Sequence, residues 1–95
     1  MTYLWTNLRR PHPDEVVDWI CSRMAIDRDQ LIARSKSRAL GLPRWWASYL
    51  MRTECGMSYP EIGTFFGRHH STAVLWVRNY LRECRREEAN GFSNR

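Results

Sequence analysis

Ser58-Tyr59-Pro60-Glu61-Ile62-Gly63-Thr64-Phe65-Phe66-Gly67-Arg68-His69-His70-Ser71-Thr72-Ala73-Val74-Leu75-Trp76-Val77-Arg78-Asn79-Tyr80-Leu81 is the stretch whose reading decides the fold. Ser58 and Glu61 have the spacing of a capping box, Pro60 suits a first helical turn, and Ile62, Phe65 and Phe66 supply one apolar face. Gly67 permits a sharp exit from that short helix. Beyond it Val74, Val77, Leu81 and Cys84 recur every three or four residues, while Arg78, Arg82, Arg85 and Arg86 occupy the opposite side. A short helix, a glycine turn and a longer helix make a helix-turn-helix, whose second helix can enter a DNA major groove by its N-terminus. That N-terminus is Arg68-His69-His70-Ser71-Thr72. Its imidazoles and hydroxyls can donate to or accept from base edges, the Thr methyl can meet a thymine methyl, and the free amides of a helix start suit a phosphate.

Upstream, Pro43 at a first turn and Gly56 past the end bracket a helix with Trp46, Ala47, Leu50 and Met51 inward. Before it, Arg34-Ser35-Lys36-Ser37-Arg38 has no apolar period and reads as a solvated basic loop. Asp27 and Gln30 predict a capping box opening a short helix with Leu31 and Ile32 inward that ends near Ala33. Pro13, Asp14 and Glu15 start the first helix, whose apolar face is Val16, Val17, Ile20, Cys21 and Met24. Residues 1–12 read as an N-terminal arm, residues 13–88 as the helical domain, and residues 89–95 as a tail, with Ala89-Asn90-Gly91 as a helix stop. The expected fold is therefore all-α: a compact bundle of about five helices.

The 95 residues suffice for one core, and 43% hydrophobic content with five Trp argues against disorder. A formal charge of +5 and a pI near 9.6 favour a polyanionic partner. No apolar run could span a bilayer and the opening residues lack the form of a signal peptide, so no membrane role and a cytoplasmic location are expected. Cys21, Cys55 and Cys84 are odd in number and lie within apolar helical patterns, which reads as reduced core cysteines rather than a disulfide framework. His69 and His70 point about 100° apart on a helix and have no Cys-x-x-Cys beside them, so no metal, no catalytic role and no cofactor are expected.

The quoted stretch resembles the DNA-binding domain of the bacterial replication initiator DnaA, whose form is Glu-Ile-Gly, then Phe-Gly-Gly-Arg-Asp-His, then Ser or Thr, Thr and Val. Ser35-Lys36-Ser37-Arg38 and Pro43-Arg44 resemble that family's basic loop and the Pro-Arg-Gln opening its central helix. The resemblance covers roughly residues 14 to 82 and implies the helix-turn-helix fold of that C-terminal domain, similar to that of Trp repressor, on double-stranded DNA. It implies that His70, Ser71 and Thr72 read bases in the major groove with Arg44 adding a further base contact, and that Lys36 or Arg38 reaches the adjacent minor groove; Arg68 and His69 share the same helix start, and Trp45, in the family's Gln position beside Arg44, would contact a sugar-phosphate edge or a partner protein. Three positions depart from the pattern: one turn glycine is missing, the family's Asp is His69, and its Gln is Trp45. Asp accepts from a cytosine amine whereas His69 can also donate to guanine, so a changed base preference is expected.

No Gly-x-x-x-x-Gly-Lys followed by Ser or Thr is present, so no nucleotide is expected to bind. The reading is a sequence-selective duplex-DNA binder of the bacterial nucleoid, a transcriptional regulator of phage or gene-transfer-element type or a domain of one, working with RNA polymerase or another regulatory protein. The alternative is a protein-interaction module or replication-control factor that keeps the initiator fold, its aromatic residues acting as anchors. Single-strand binding through Trp45, Trp46, Tyr49 and Trp76 is the other rival, set against the commoner role of such aromatics as core, which is the reading adopted for Trp46.

Overall fold

His12 and Asp27 open the first two helices by the same device, an N-cap side chain and a residue three positions on that bond each other's backbone amides. The computed structural model describes the backbone of residues 10–33 and 38–93 and side chains as far as residue 87. Its helices are α1 (Pro13–Met24), α2 (Arg28–Ile32), α3 (Gly41–Thr53), α4 (Tyr59–Phe66) and α5 (His70–Ser93), with a 3-10 turn over Arg38–Leu40 leading into α3. Among the described residues the expected all-α bundle of about five helices, with a helix-turn-helix at α4 and α5, is the fold observed.

The core is one cluster. Val16, Val17 and Ile20 of α1, Leu31 of α2, Ala47, Leu50 and Met51 of α3, Ile62 and Phe66 of α4 and Ala73 of α5 are buried together. Aromatic rings close its two sides. Trp19 meets Trp46 edge-on at 5.1 Å between centroids, and Tyr80 stacks on Trp46 at 6.4 Å and tilts against Tyr49 at 4.8 Å. On the other side Trp76 stands edge-on to Phe66 at 5.2 Å. Edge-on and stacked pairs each add about 0.5–1.5 kcal/mol to the burial of the rings, so these contacts fix how α5 lies on α3 and α4.

The inward stripe of α5 is shifted by a residue from the sequence expectation. Ala73 and Val77 are buried and Trp76 and Tyr80 pack on the core, but Leu81 is exposed. The wide rings of Trp76 and Tyr80 fill the interface and turn Leu81 to the side. The expected stop at Ala89-Asn90-Gly91 is also overridden, since α5 runs through it to Ser93; an internal Gly costs only about 1 kcal/mol relative to Ala and does not oblige a helix to end. Residues 1–9 of the expected arm lie outside the described residues. Its last residues belong to the fold: Pro11 is buried, His12 caps α1, and the Arg10 guanidinium fills the space beside Gly56.

Two glycines set the angle between α4 and α5. Gly67 ends α4 in the left-handed region at φ 67°, with its N–H on the carbonyls of Gly63 and Thr64. Gly63 is buried where backbone meets backbone: a Cβ there would stand 2.7 Å from the Arg68 carbonyl oxygen and 3.2 Å from the His69 carbonyl group. The Arg68 amide also donates to the Gly63 carbonyl at 2.7 Å. Gly63→Ala must therefore push the start of α5 away from α4, and a loss of about 1–3 kcal/mol in urea unfolding is expected. Gly67→Ala has no atom within 4 Å to meet and carries only the left-handed strain, about 1–2 kcal/mol. The two variants differ in a second readout: Gly63→Ala shifts the backbone amide resonances of residues 68–72, and Gly67→Ala leaves the packing of α4 on α5 in place.

Candidate nucleic-acid interface

A five-residue helix such as α2 leaves its last carbonyls without intrahelical partners, and these form its negative end. Two arginines from distant parts of the chain take them. Arg44 Nε donates to the Leu31 carbonyl at 2.8 Å, and its Nη2 donates to those of Gln30 at 3.1 Å and Ala33. Arg68 donates to the carbonyls of Ala33 at 3.0 Å, Ile32 at 3.4 Å and Phe66, and its guanidinium lies 5.6 Å from the centre of the Trp76 ring. The planar fork of each arginine matches a cluster of carbonyls that one ammonium could not satisfy.

Arg44 is only 5% exposed, so its guanidinium lies beneath the surface and serves as part of the scaffold that holds α2. Burial, and then the positive charge of Arg68, push its guanidinium below its ordinary pKa; an arginine starts so high that it stays a cation at neutral pH. Arg68 is half-buried and shares this work. Trp45 is half-buried as well, its ring folded back towards Gly41. Trp46 is core, as its spacing predicts.

At the surface the arrangement presents His69, His70 and Ser71 exposed and Thr72 half-buried at the start of α5, with Arg38 exposed in the 3-10 turn. Lys36 lies outside the described residues; the carbonyl of Ala33, three residues before it, accepts from Arg68 at 3.0 Å. The two imidazoles are neighbours, 4.2 Å between centroids.

His69 has a role the sequence did not disclose. The Ser71 amide donates to its Nδ1 at 3.2 Å, the Ser71 hydroxyl lies 2.9 Å from the same atom, and the Thr72 amide donates to the His69 carbonyl at 3.0 Å. His69 is thus the N-cap of α5, as His12 is of α1, where the Asp14 amide donates to His12 Nδ1 at 3.2 Å. The shared pattern of a His two residues before an amide it caps is the signal that sequence reading passed over, because histidine is not among the preferred capping residues. Leu75 was also missed. One turn beyond Ser71, it is 52% exposed and lies on the outward face shared with Arg78 and Arg82.

Burial works against the thiolate at two of the cysteines. The Cys55 thiol is pushed up to about 11, mainly by burial and then by Glu54 and Glu15, and burial likewise raises Cys21. All three cysteines are free. No described helix is long and apolar enough to cross a membrane.

With this geometry in view, comparisons with known proteins are specific. Residues 13–79 match the family model described as the bacterial dnaA protein helix-turn-helix. The chain is 38% identical over 78 residues to the chromosomal replication initiator protein DnaA of Oleidesulfovibrio alaskensis, covering 82% of this chain and 17% of that protein. To the DnaA of a Synechococcus strain it is 34% identical over 74 residues, 78% of this chain and 16% of the relative. To that of Sphingopyxis alaskensis it is 38% identical over 77 residues, 76% and 17% of the respective chains. The chain thus spans a small part of the length of these relatives. No solved structure matches it.

The arginine clamp generates a stability prediction. Arg44→Met leaves the carbonyls of Gln30 and Leu31 without this donor, so unfolding free energy should fall by about 2–4 kcal/mol by chemical denaturation. Arg44→Lys should recover less than half of the loss, because a single ammonium cannot span both carbonyls. Full recovery by Lys would show that charge, and not the fork, holds α2.

Proposed function

The chain belongs to the bacterial DnaA helix-turn-helix family, and on that premise we propose that it is a sequence-selective binder of double-stranded DNA that docks the start of α5 in the major groove. The observation that carries the reading is the set of exposed His69, His70 and Ser71 with half-buried Thr72, polar groups that together offer donors and acceptors on a helix start held by Gly63, Gly67 and Arg68. Side chains mounted on so rigid a frame need little ordering when they meet base edges.

In this reading the residues divide by task. His69, His70, Ser71 and Thr72 read bases, and Leu75, facing the same way one turn on, gives an apolar surface for a thymine methyl. Arg38 or Lys36 reaches the minor groove. Arg78 and Arg82, exposed further along α5, meet phosphates. Arg44 and Arg68 position the reading residues, and Trp45 borders them at the rim. Acting from the nucleoid without a nucleotide or other cofactor, such a module regulates transcription by recruiting or blocking RNA polymerase or another regulatory protein. Control of replication initiation through the same DNA sites is the alternative for a chain whose matched relatives are replication initiators.

Selection of bound duplexes from a random library, followed by affinity measurements across salt, tests the proposal. About four phosphate contacts would give about a hundredfold loss of affinity for a fourfold rise in salt. Thr72→Ala should cost about 1–3 kcal/mol of discrimination at one base pair, whereas Arg82→Ala should weaken all duplexes alike and reduce the salt slope by about 1. A flat salt response, or equal and uniform effects of the two substitutions, would overturn the docking mode; preference for unpaired over duplex oligonucleotides would indicate single-strand binding.

A further inference from the structure

The capping bond at His69 settles which of its ring nitrogens can face a ligand. A backbone amide can only donate, so the Ser71 N–H at 3.2 Å requires Nδ1 to be an acceptor without a proton. The Ser71 hydroxyl, 2.9 Å from the same nitrogen, then donates towards that lone pair. A neutral imidazole with a bare Nδ1 carries its proton on Nε2, across the ring from the capped helix end. His69 is exposed, so this Nε2–H is presented outward, whereas Ser71 Oγ, its proton turned to the ring, keeps its lone pairs for the exterior. The start of α5 therefore offers a fixed donor at residue 69 and an acceptor at residue 71.

We propose that His69 acts as a donor-only reader that selects guanine over cytosine at the base pair it meets. In the major groove guanine offers only acceptors, N7 and O6, whereas cytosine offers the N4 amine, which a locked Nε2–H cannot accept. An imidazole free to change tautomer could satisfy either base; here the cap of α5 would have to be broken to do so. The proposal rests on the DNA-binding reading above and goes beyond it by assigning the base class and the atom that chooses it.

The test is duplex selection with the full chain and with His69→Asp, His69→Asn and His69→Ala. Asp and Asn are strong N-caps, so both should keep the melting temperature and helical signal of α5. Asp presents only acceptors, and its preference at one base pair should invert from G·C to C·G, by about tenfold in relative affinity, with the rest of the site unchanged. Asn, with both donor and acceptor, should accept either orientation, and His69→Ala should lose the preference at that pair. An Asp variant that selects the same base as the parent chain at every position overturns the proposal while leaving duplex binding in place. Failure of the parent chain to enrich any duplex overturns the DNA-binding reading itself, and this proposal with it. A direct check on the tautomer is the nitrogen shift pair of the His69 ring: an acceptor-type Nδ1 and a protonated Nε2 are expected, and the reverse assignment contradicts the proposal.

Discussion

The carbonyl end of α2 is where three separate parts of the chain meet, and the placement of the presented surface depends on that meeting. A helix of five residues has almost no stability of its own. It is held because Arg44, from α3, and Arg68, from the turn before α5, converge on the carbonyls of residues 30–33. Two guanidinium groups side by side repel each other. The helix dipole and the unpaired carbonyls offset that repulsion, and Trp76 takes the face of Arg68. The end of α2 at Ala33 and the turn before α5, remote in sequence, are tied through this one cluster.

Around the cluster, precision comes from backbone contact more than from side-chain burial. Gly63 lets the turn after α4 approach until carbonyl and helix backbone touch, Gly67 turns the chain by its left-handed conformation, and His69 then caps the helix that follows. The same imidazole that starts α5 is exposed, so in the proposed docking mode local helix stability and recognition chemistry are joined in one side chain. Ser71 is likewise engaged on one side with the cap and open on the other.

What could be read from the sequence follows from how local each interaction is. The capping boxes of α2 and α4, the left-handed Gly67 and the alternation of apolar residues along α1 and α3 are governed by residues within one turn of each other, and all were legible. The arginine clamp was not. Its partners are 11 to 36 residues apart, and they are backbone carbonyls, which every residue carries and no composition reveals. For that reason Arg44 looked like an outward basic residue when it is a buried support. The stripe of α5 was misplaced by a residue because the periodicity rested on Val74, Val77, Leu81 and Cys84, while packing makes Trp76 and Tyr80 the widest groups in the interface. The family resemblance drew attention to the segment at the start of α5 but could not say that residue 69 also closes the helix.

The central claim, that the start of α5 on its arginine-held frame is the surface that reads duplex DNA, is tested most directly by titrating the isotopically labelled chain with a duplex it selects and following backbone amide shifts. The account predicts that the largest changes fall on His69 to Leu75 and around Arg38, with smaller ones along Arg78 and Arg82 and none concentrated at Met24, Leu42 and Tyr80 on the far part of the bundle. Changes confined to that far part, with the amides of residues 69–75 unmoved, would contradict it.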